Sequence, residues 1–294
     1  MIYLLLSIIS STSIFVIFKF VDKYKVSTFD VIIINYLIAS TLGYLISDYS
    51  NVDILPLHEN GWLPYAFIIG ILFIIMFVIV GKSSQKVGIA ITTVASKMSV
   101  ITPILFSILY DPTDHLTIKK SIGISIALLA VFLTIYRKRK IDFDPQHLYL
   151  PILLFLGMGI VDSVIKFSQH NYVSDALSPL FTAILFTIAA ITGLTTNLIR
   201  KNSFKNLRNK GVLFWGILLG ISNYGSIYFL IRALNHKTEI GIPLDGSIVF
   251  GMNNLGIVGL SVLIGLFFFR EKLTRLNWIG ILLSFVAIYI LSQY

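Results

Sequence analysis

The sequence predicts an all-α integral membrane protein: ten transmembrane helices in two inverted five-helix repeats. Three observations predict it. The 294 residues are 56% hydrophobic and only 13% charged, with a mean hydropathy of +0.87; a soluble domain carries about 25% charged residues. The apolar residues gather into ten continuous stretches, and roughly 165 of them at roughly 20 per span leave room for about eight to ten helices. Two polar motifs recur in the same order in both halves of the chain. The absence of cysteine excludes disulfides, thiolate metal sites and a cysteine nucleophile.

The stretches run over residues 2–18, 31–47, 61–81, 87–110, 118–136, 148–165, 176–199, 211–231, 240–269 and 276–291. They are continuous, not alternating ten-residue strands, so helices rather than a closed barrel are expected. In hydrocarbon a helix satisfies every backbone amide internally. The first stretch ends at Lys19. The second carries Asn35 and Tyr36. The third opens at Trp62. The fourth contains Lys97 and Pro103. The fifth follows a Leu-Thr pair at Leu116 and Thr117. The sixth carries Asp162 and Lys166. The seventh runs from Ala176 to Ile199. The eighth opens near Trp215 and holds Asn223 and Tyr224. The ninth holds Asn253, Asn254 and the glycines Gly251, Gly256, Gly259 and Gly265, which allow close helix approach. The tenth opens near Trp278. The three tryptophans at span starts read as interfacial anchors. The longest connections, 48–60, 137–147 and 200–210, are too short for a soluble catalytic domain, and Gln85 and Asn235 read as loop residues. Met1 opens directly into an apolar stretch with no basic segment and no small-residue cleavage site, so no cleaved signal peptide is expected.

The basic, proline-containing break at 137–145 divides the chain into 1–140 and 141–294, five stretches each. Residues 269–280 read FREKLTRLNWIG and residues 112–123 read PTDHLTIKKSIG. At a spacing of 157 positions Leu273, Thr274, Ile279 and Gly280 repeat Leu116, Thr117, Ile122 and Gly123, with Glu271 facing Asp114. At a spacing of 147, Lys166-Phe167 repeats Lys19-Phe20, and Val173-Ser174 repeats Val26-Ser27. Two matches in the same order at polar positions indicate duplication. Five is odd, so the second copy enters from the opposite side, an arrangement common in secondary transporters. A larger bundle without transport is the plainer outcome of the same duplication.

These features resemble the EamA-type members of the drug/metabolite transporter superfamily. The resemblance covers the whole chain: ten spans, Lys19 and Lys166 at the ends of the first spans of the halves, and the acidic-x-Leu-Thr signature at Glu271 and, with Asp in place of Glu, at Asp114. Pro103 also sits where that family often has a proline. The resemblance implies transport of small metabolites, such as amino acids or related compounds, by export or exchange through a central cavity. It also implies both termini inside. The charge count gives the opposite answer. Setting aside Lys19, Lys97 and Lys166, the odd-numbered connections hold 16 Lys and Arg and the even ones 4, which places the odd connections in the cytoplasm and the termini outside. The net charge of +9 resides in these connections, so bilayer orientation explains it better than nucleic acid does. The partners expected are the lipid bilayer, of the bacterial cytoplasmic membrane, and a small-molecule substrate.

Lys97 lies about ten residues into its stretch. A charge there costs at least about 3 kcal/mol unless it meets water or a partner, so Lys97 should face a cavity and hold a substrate carboxylate or phosphate, or else pair with an acid of the protein. Asn254, the repeat-equivalent position, and neighbouring Asn253 sit beyond a break at Pro243, Asp245 and Gly246. Such breaks expose backbone groups to ligands in transporters, and an ordinary helix after a long loop fits equally. Asp162 and Lys166, four apart, favour a structural ion pair, or a proton-responsive group if Asp162 faces the cavity. Asn35–Tyr36 and Asn223–Tyr224 read as helix–helix hydrogen bonds or cavity lining.

No zinc-protease motif, nucleophile elbow or P-loop is present, and the histidines (His58, His115, His147, His170 and His236) have no ligand spacing. Neither enzyme activity, nor a metal, nor a cofactor is expected. The function expected is secondary transport by alternating access, with a non-transporting membrane scaffold or assembly protein as the alternative.

Overall fold

Apolar runs that leave water must close their own hydrogen bonds, and here they do so as helices. The computed structural model describes residues 2–46, 61–110, 117–136, 147–173, 177–200, 204–234 and 246–291, and among them there is no strand. The helices are α1 (Ile2–Lys23), α2 (Thr28–Ile46), α3 (Leu63–Lys86), α4 (Ile89–Met98), α5 (Ile101–Tyr110), α6 (Ile118–Ile135), α7 (Tyr149–Tyr172), α8 (Ser178–Ile199), α9 (Phe204–Leu207), α10 (Lys210–Leu234), α11 (Gly246–Phe267) and α12 (Arg275–Leu291). Among the described residues nine spans are long and apolar enough to cross a membrane, with α4 and α5 counted as one. Helix α12, at 17 residues, is a shorter apolar helix. The protein is a multi-pass membrane protein. Its burial pattern agrees: Ile68, Leu109, Phe132, Phe214 and Tyr289 are exposed, whereas Ser7, Asn35, Thr92, Asn197 and Asn277 are buried. Intrahelical hydroxyls such as Thr93 and Ser163 donate to the carbonyl four residues back, at 2.8 and 2.7 Å, which satisfies them without water.

Three readings are corrected. The fourth stretch is not one helix: it breaks at Ser99-Val100 between α4 and α5. Pro103 is the cause, because it has no amide to give Ser99 and its ring crowds that carbonyl; Thr102 N–H takes the Ser99 carbonyl instead, at 2.9 Å. Gln85 is not in a loop but in α3, where it donates to Phe18 O (3.1 Å) and Thr28 Oγ1 (2.9 Å) and ties three helices. Trp62 is buried against Phe181, with ring centroids 5.7 Å apart, and not exposed on the bundle surface as an anchor in the lipid would be. Trp278 is exposed, and Trp215 stacks on Phe20 and Tyr24 at 5.5 and 5.7 Å. Asn235, Pro243 and Asp245 lie outside the described residues, as do Asp114 and the motif residues 112–116.

Helices α1 and α2 pack on α10, and α3 packs on α7 and α8, while α2 meets α8 across the centre. Helix α4 lies between α7 and α11, and α11 also packs on α1. A second body is the antiparallel pair α6–α12. Gly123 sits against Leu291, and Gly280 sits on the α6 backbone at Thr134 and Ala130. Asn277 seals the end of α6 by donating to the carbonyls of Thr134 (2.7 Å) and Tyr136 (3.1 Å). A Cβ at Gly280 would lie 2.5 Å from Thr134 N and 2.8 Å from Ala130 O, both backbone atoms that cannot swing aside. Gly280→Ala is therefore expected to cost about 1–3 kcal/mol, as overpacking does. The check is a lower Tm for the detergent-solubilised variant; an unchanged Tm would show that this glycine does not set the helix spacing.

Candidate functional site

A cavity of about 240 Å³ lies at the centre of the bundle, lined from α1, α2, α3, α4, α7, α8 and α10. Its polar lining comprises Ser11, Ser96, Lys97, Asp162, Asn223 and Ser226. Tyr36, Phe73, Phe77 and Phe186 form an aromatic wall with ring centroids 5.3–6.4 Å apart. The Tyr36 hydroxyl donates to Phe73 O (2.8 Å), so Tyr36 offers the cavity its ring rather than its oxygen.

Helix α4 places the cation. It is a ten-residue helix, about 15 Å long, and Lys97 stands in its last turn, where the helix dipole favours positive charge. Its first turn receives the opposite charge. Glu271, in the turn between α11 and α12, accepts from Ile89 N (2.7 Å) and Ala90 N (3.2 Å). Lys19, at the far end of α1, closes on the same carboxylate at 3.4 Å. Gly88 makes this approach possible: its φ is +120°, and a Cβ there would lie 3.0 Å from the carboxylate. Gly265 likewise leaves room for Glu271 Oε2. The two motifs that sequence comparison singled out in separate halves, Lys19 and Glu271, thus meet as a capped ion pair about two turns above Lys97.

Asp162 places the anion. It lines the cavity from α7, facing Lys97 without closing to a direct ion pair. Ser99, at the break after α4, donates to Ser96 O at 2.6 Å and brings its hydroxyl to 3.4 Å from Asp162 Oδ2. The expected Asp162–Lys166 pair is not formed. Asp162 turns into the bundle, whereas Lys166 is exposed, because its long stem carries the ammonium out of the bundle.

The remaining candidates divide. Asn223 lines the cavity. Asn35 stands behind it, fully buried between α2 and α10: its amide nitrogen donates to Leu219 O at 3.2 Å and lies beside the Asn223 carboxamide. Tyr224 is buried away from the cavity, stacked on Tyr228 at 5.8 Å and close to Gly43. Asn253 is buried on α11 with its Oδ1 unpartnered, and neither it nor Asn254 is among the cavity's described lining residues. The signals missed in the sequence were of two kinds. Ser11 belongs to the run Ser10–Ser13 in an otherwise apolar helix, and Ser226 follows Asn223 by three positions, on the same helix face. The aromatic wall had no local signal, since Phe73, Phe77 and Phe186 look like any lipid-facing phenylalanine. Among the described residues no group of His, Asp or Glu could hold a metal ion.

No family model matches the chain. It is 27% identical over 295 residues to an uncharacterized protein of Haemophilus influenzae, across 98% of this chain and 96% of that one. A solved crystal structure superposes with a TM-score of 0.55 and 13% identity, over 97% of each chain. The fold is therefore one already seen in a solved protein, across nearly the full length of both.

Proposed function

We propose that the chain is a secondary transporter of small zwitterionic metabolites, such as amino acids or related compounds, of the EamA type within the drug/metabolite transporter superfamily, working by alternating access in a bacterial cytoplasmic membrane. The observation that carries this reading is the central cavity itself, which is lined by one cation and one anion that close no direct ion pair with each other. Charged groups within a membrane bundle are costly unless they serve a partner. Lys97 is placed to receive a carboxylate and Asp162 an ammonium group. Asn223, Ser96 and Ser226 supply neutral hydrogen-bonding groups, and the Tyr36–Phe73–Phe77–Phe186 wall receives an apolar side chain.

The helix contacts support an inverted duplication, the architecture that alternating access needs. Gly70 packs on Ile188 and Gly220 packs on Ile38, each glycine and each isoleucine 150 positions from its counterpart. Gly123 meets Leu291 and Gly280 meets Thr134, again exchanged, at a spacing of 157. Thr117 accepts from Lys120 N–H and Thr274 from Asn277 N–H, both at 3.2 Å, so the repeated Leu-Thr motif caps the last helix of each half. These reciprocal contacts are what a two-fold axis in the membrane plane produces.

The test is counterflow in proteoliposomes loaded with unlabelled amino acid. Labelled zwitterions with apolar side chains are expected to accumulate transiently, and their amides and deaminated acids, which lack one of the two charges, are expected to compete poorly. Absence of flux across a broad panel, with the protein intact, would favour a scaffold instead.

A further inference from the structure

A second and larger cavity, of about 750 Å³, opens between α2, α3, α7 and α8 at the basic end of the bundle. It takes no part in the central site. Its floor is a stripe of α3 isoleucines and valine, from Ile71 to Ile79, of which Ile71 and Ile75 are exposed. At 1.5 Å per residue the stripe runs about 12 Å along the helix. Its rim is cationic: Lys82, Lys86 and Arg200 line it together with His147, and the described lining residues include no carboxylate. Asp30, next to Phe29, is buried within the bundle and does not line the cavity.

The rim charges are arranged, not scattered. Lys82 and Lys86 are four residues apart on one helix face, a like-charge spacing that disfavours the helix unless an anion intervenes. The Arg200 guanidinium is held over the Phe29 ring at 4.9 Å, which fixes it at the rim. Gln85, between the two lysines, also lines the opening, with its amide nitrogen engaged by Phe18 O and Thr28 Oγ1, so it adds no charge there. An apolar trough along a membrane-spanning helix that ends in three cations matches a molecule with an acyl chain and an anionic head.

We infer that this groove binds an anionic phospholipid such as phosphatidylglycerol, its phosphate between Lys82, Lys86 and Arg200 and one acyl chain along the Ile71–Ile79 stripe. A free phosphate would have no use for the trough, and a zwitterionic lipid, whose own ammonium offsets its phosphate, would gain less from three cations that have no carboxylate among the described lining residues. The inference does not depend on the transport reading.

Each cation beside an anionic lipid head is worth roughly fivefold in binding, so three of them predict a preference of about 100-fold. The experiment is native mass spectrometry of the delipidated full-length protein, titrated with phosphatidylglycerol and with phosphatidylcholine of the same acyl chains. The unmodified protein should retain the anionic lipid about 100-fold more strongly. The Lys82→Gln/Lys86→Gln/Arg200→Gln variant should lose that preference, and Lys82→Arg/Lys86→Arg should keep it. Equal retention of both lipids by the unmodified protein overturns the inference and needs no variant to be read. So does a preference that survives in the folded glutamine variant. Displacement of the bound lipid by inorganic phosphate at equal concentration would assign a free-phosphate site and overturn the lipid assignment.

Discussion

Lys97→Ala is expected to lower counterflow of zwitterionic solutes by about 100-fold or more. Truncating one member of a desolvated charge pair or charge–ligand contact costs about 2–5 kcal/mol, much of it because the other charge is left uncompensated. On the transport reading the loss has two parts: a substrate carboxylate loses its cation, and Asp162 lines the cavity without Lys97. The two roles of Lys97 are separable. In Lys97→Ala/Asp162→Asn both charges are gone, so a purely structural balance is restored. If the pair only stabilised the bundle, the double variant would regain both Tm and flux. On the transport reading it regains Tm and stays inactive. Flux recovered in the double variant would remove Lys97 and Asp162 from the binding site.

The second large effect is expected at Glu271. Glu271→Ala removes the only described cap of the first turn of α4 and leaves the Lys19 ammonium largely buried without its counter-ion. Breaking a buried pair by deleting one partner costs about 3–5 kcal/mol. Glu271→Gln keeps a carbonyl acceptor for one amide and loses the ion pair, so it should fall between the alanine variant and the native protein. The measurement is thermal unfolding of the three proteins in one detergent. A Glu271→Ala protein as stable as the native one would mean that the carboxylate does not hold α4. The consequence reaches the cavity, because α4 is a single ten-residue helix with Glu271 on its first turn and Lys97 on its last. On the alternating-access reading, a state that opens this end is expected to release this carboxylate from the Ile89 and Ala90 amides. Weakening it should then shift the balance between the two faces, which labelling of engineered cysteines from either side would register.

Much of the fold was legible because the bilayer reads composition directly. Continuous apolar stretches marked the helices, and their ends were wrong chiefly where a helix ran on into polar sequence, as α3 does through Lys82 and Gln85 to Lys86. The exception, the break in the fourth stretch, had its cause in plain sight at Pro103, but hydropathy is blind to a missing amide. The site was legible only where a residue was expensive. Lys97 and Asp162 stood out because a charge inside an apolar run demands a reason. Their partners did not follow from that. Spacing along one helix paired Asp162 with Lys166, whereas packing between helices turned Asp162 to Lys97 and Ser99. Asn253 and Asn254 carried the same kind of signal as Asn223, and only the rotation of each helix about its axis separated a cavity-facing amide from one buried elsewhere.

The amino-acid sequence by itself determined that this protein spans a membrane several times, where its helices lie along the chain, and which few polar groups need an explanation. These are local or compositional properties, set by the transfer of side chains out of water. Only the tertiary structure decided that Lys19 of one half meets Glu271 of the other, that both hold α4, and that a cation and an anion share one aromatic-walled cavity. Those facts depend on which faces of distant helices come together. That choice is made by close packing at small residues such as Gly88 and Gly280, over separations that no periodicity along the chain records.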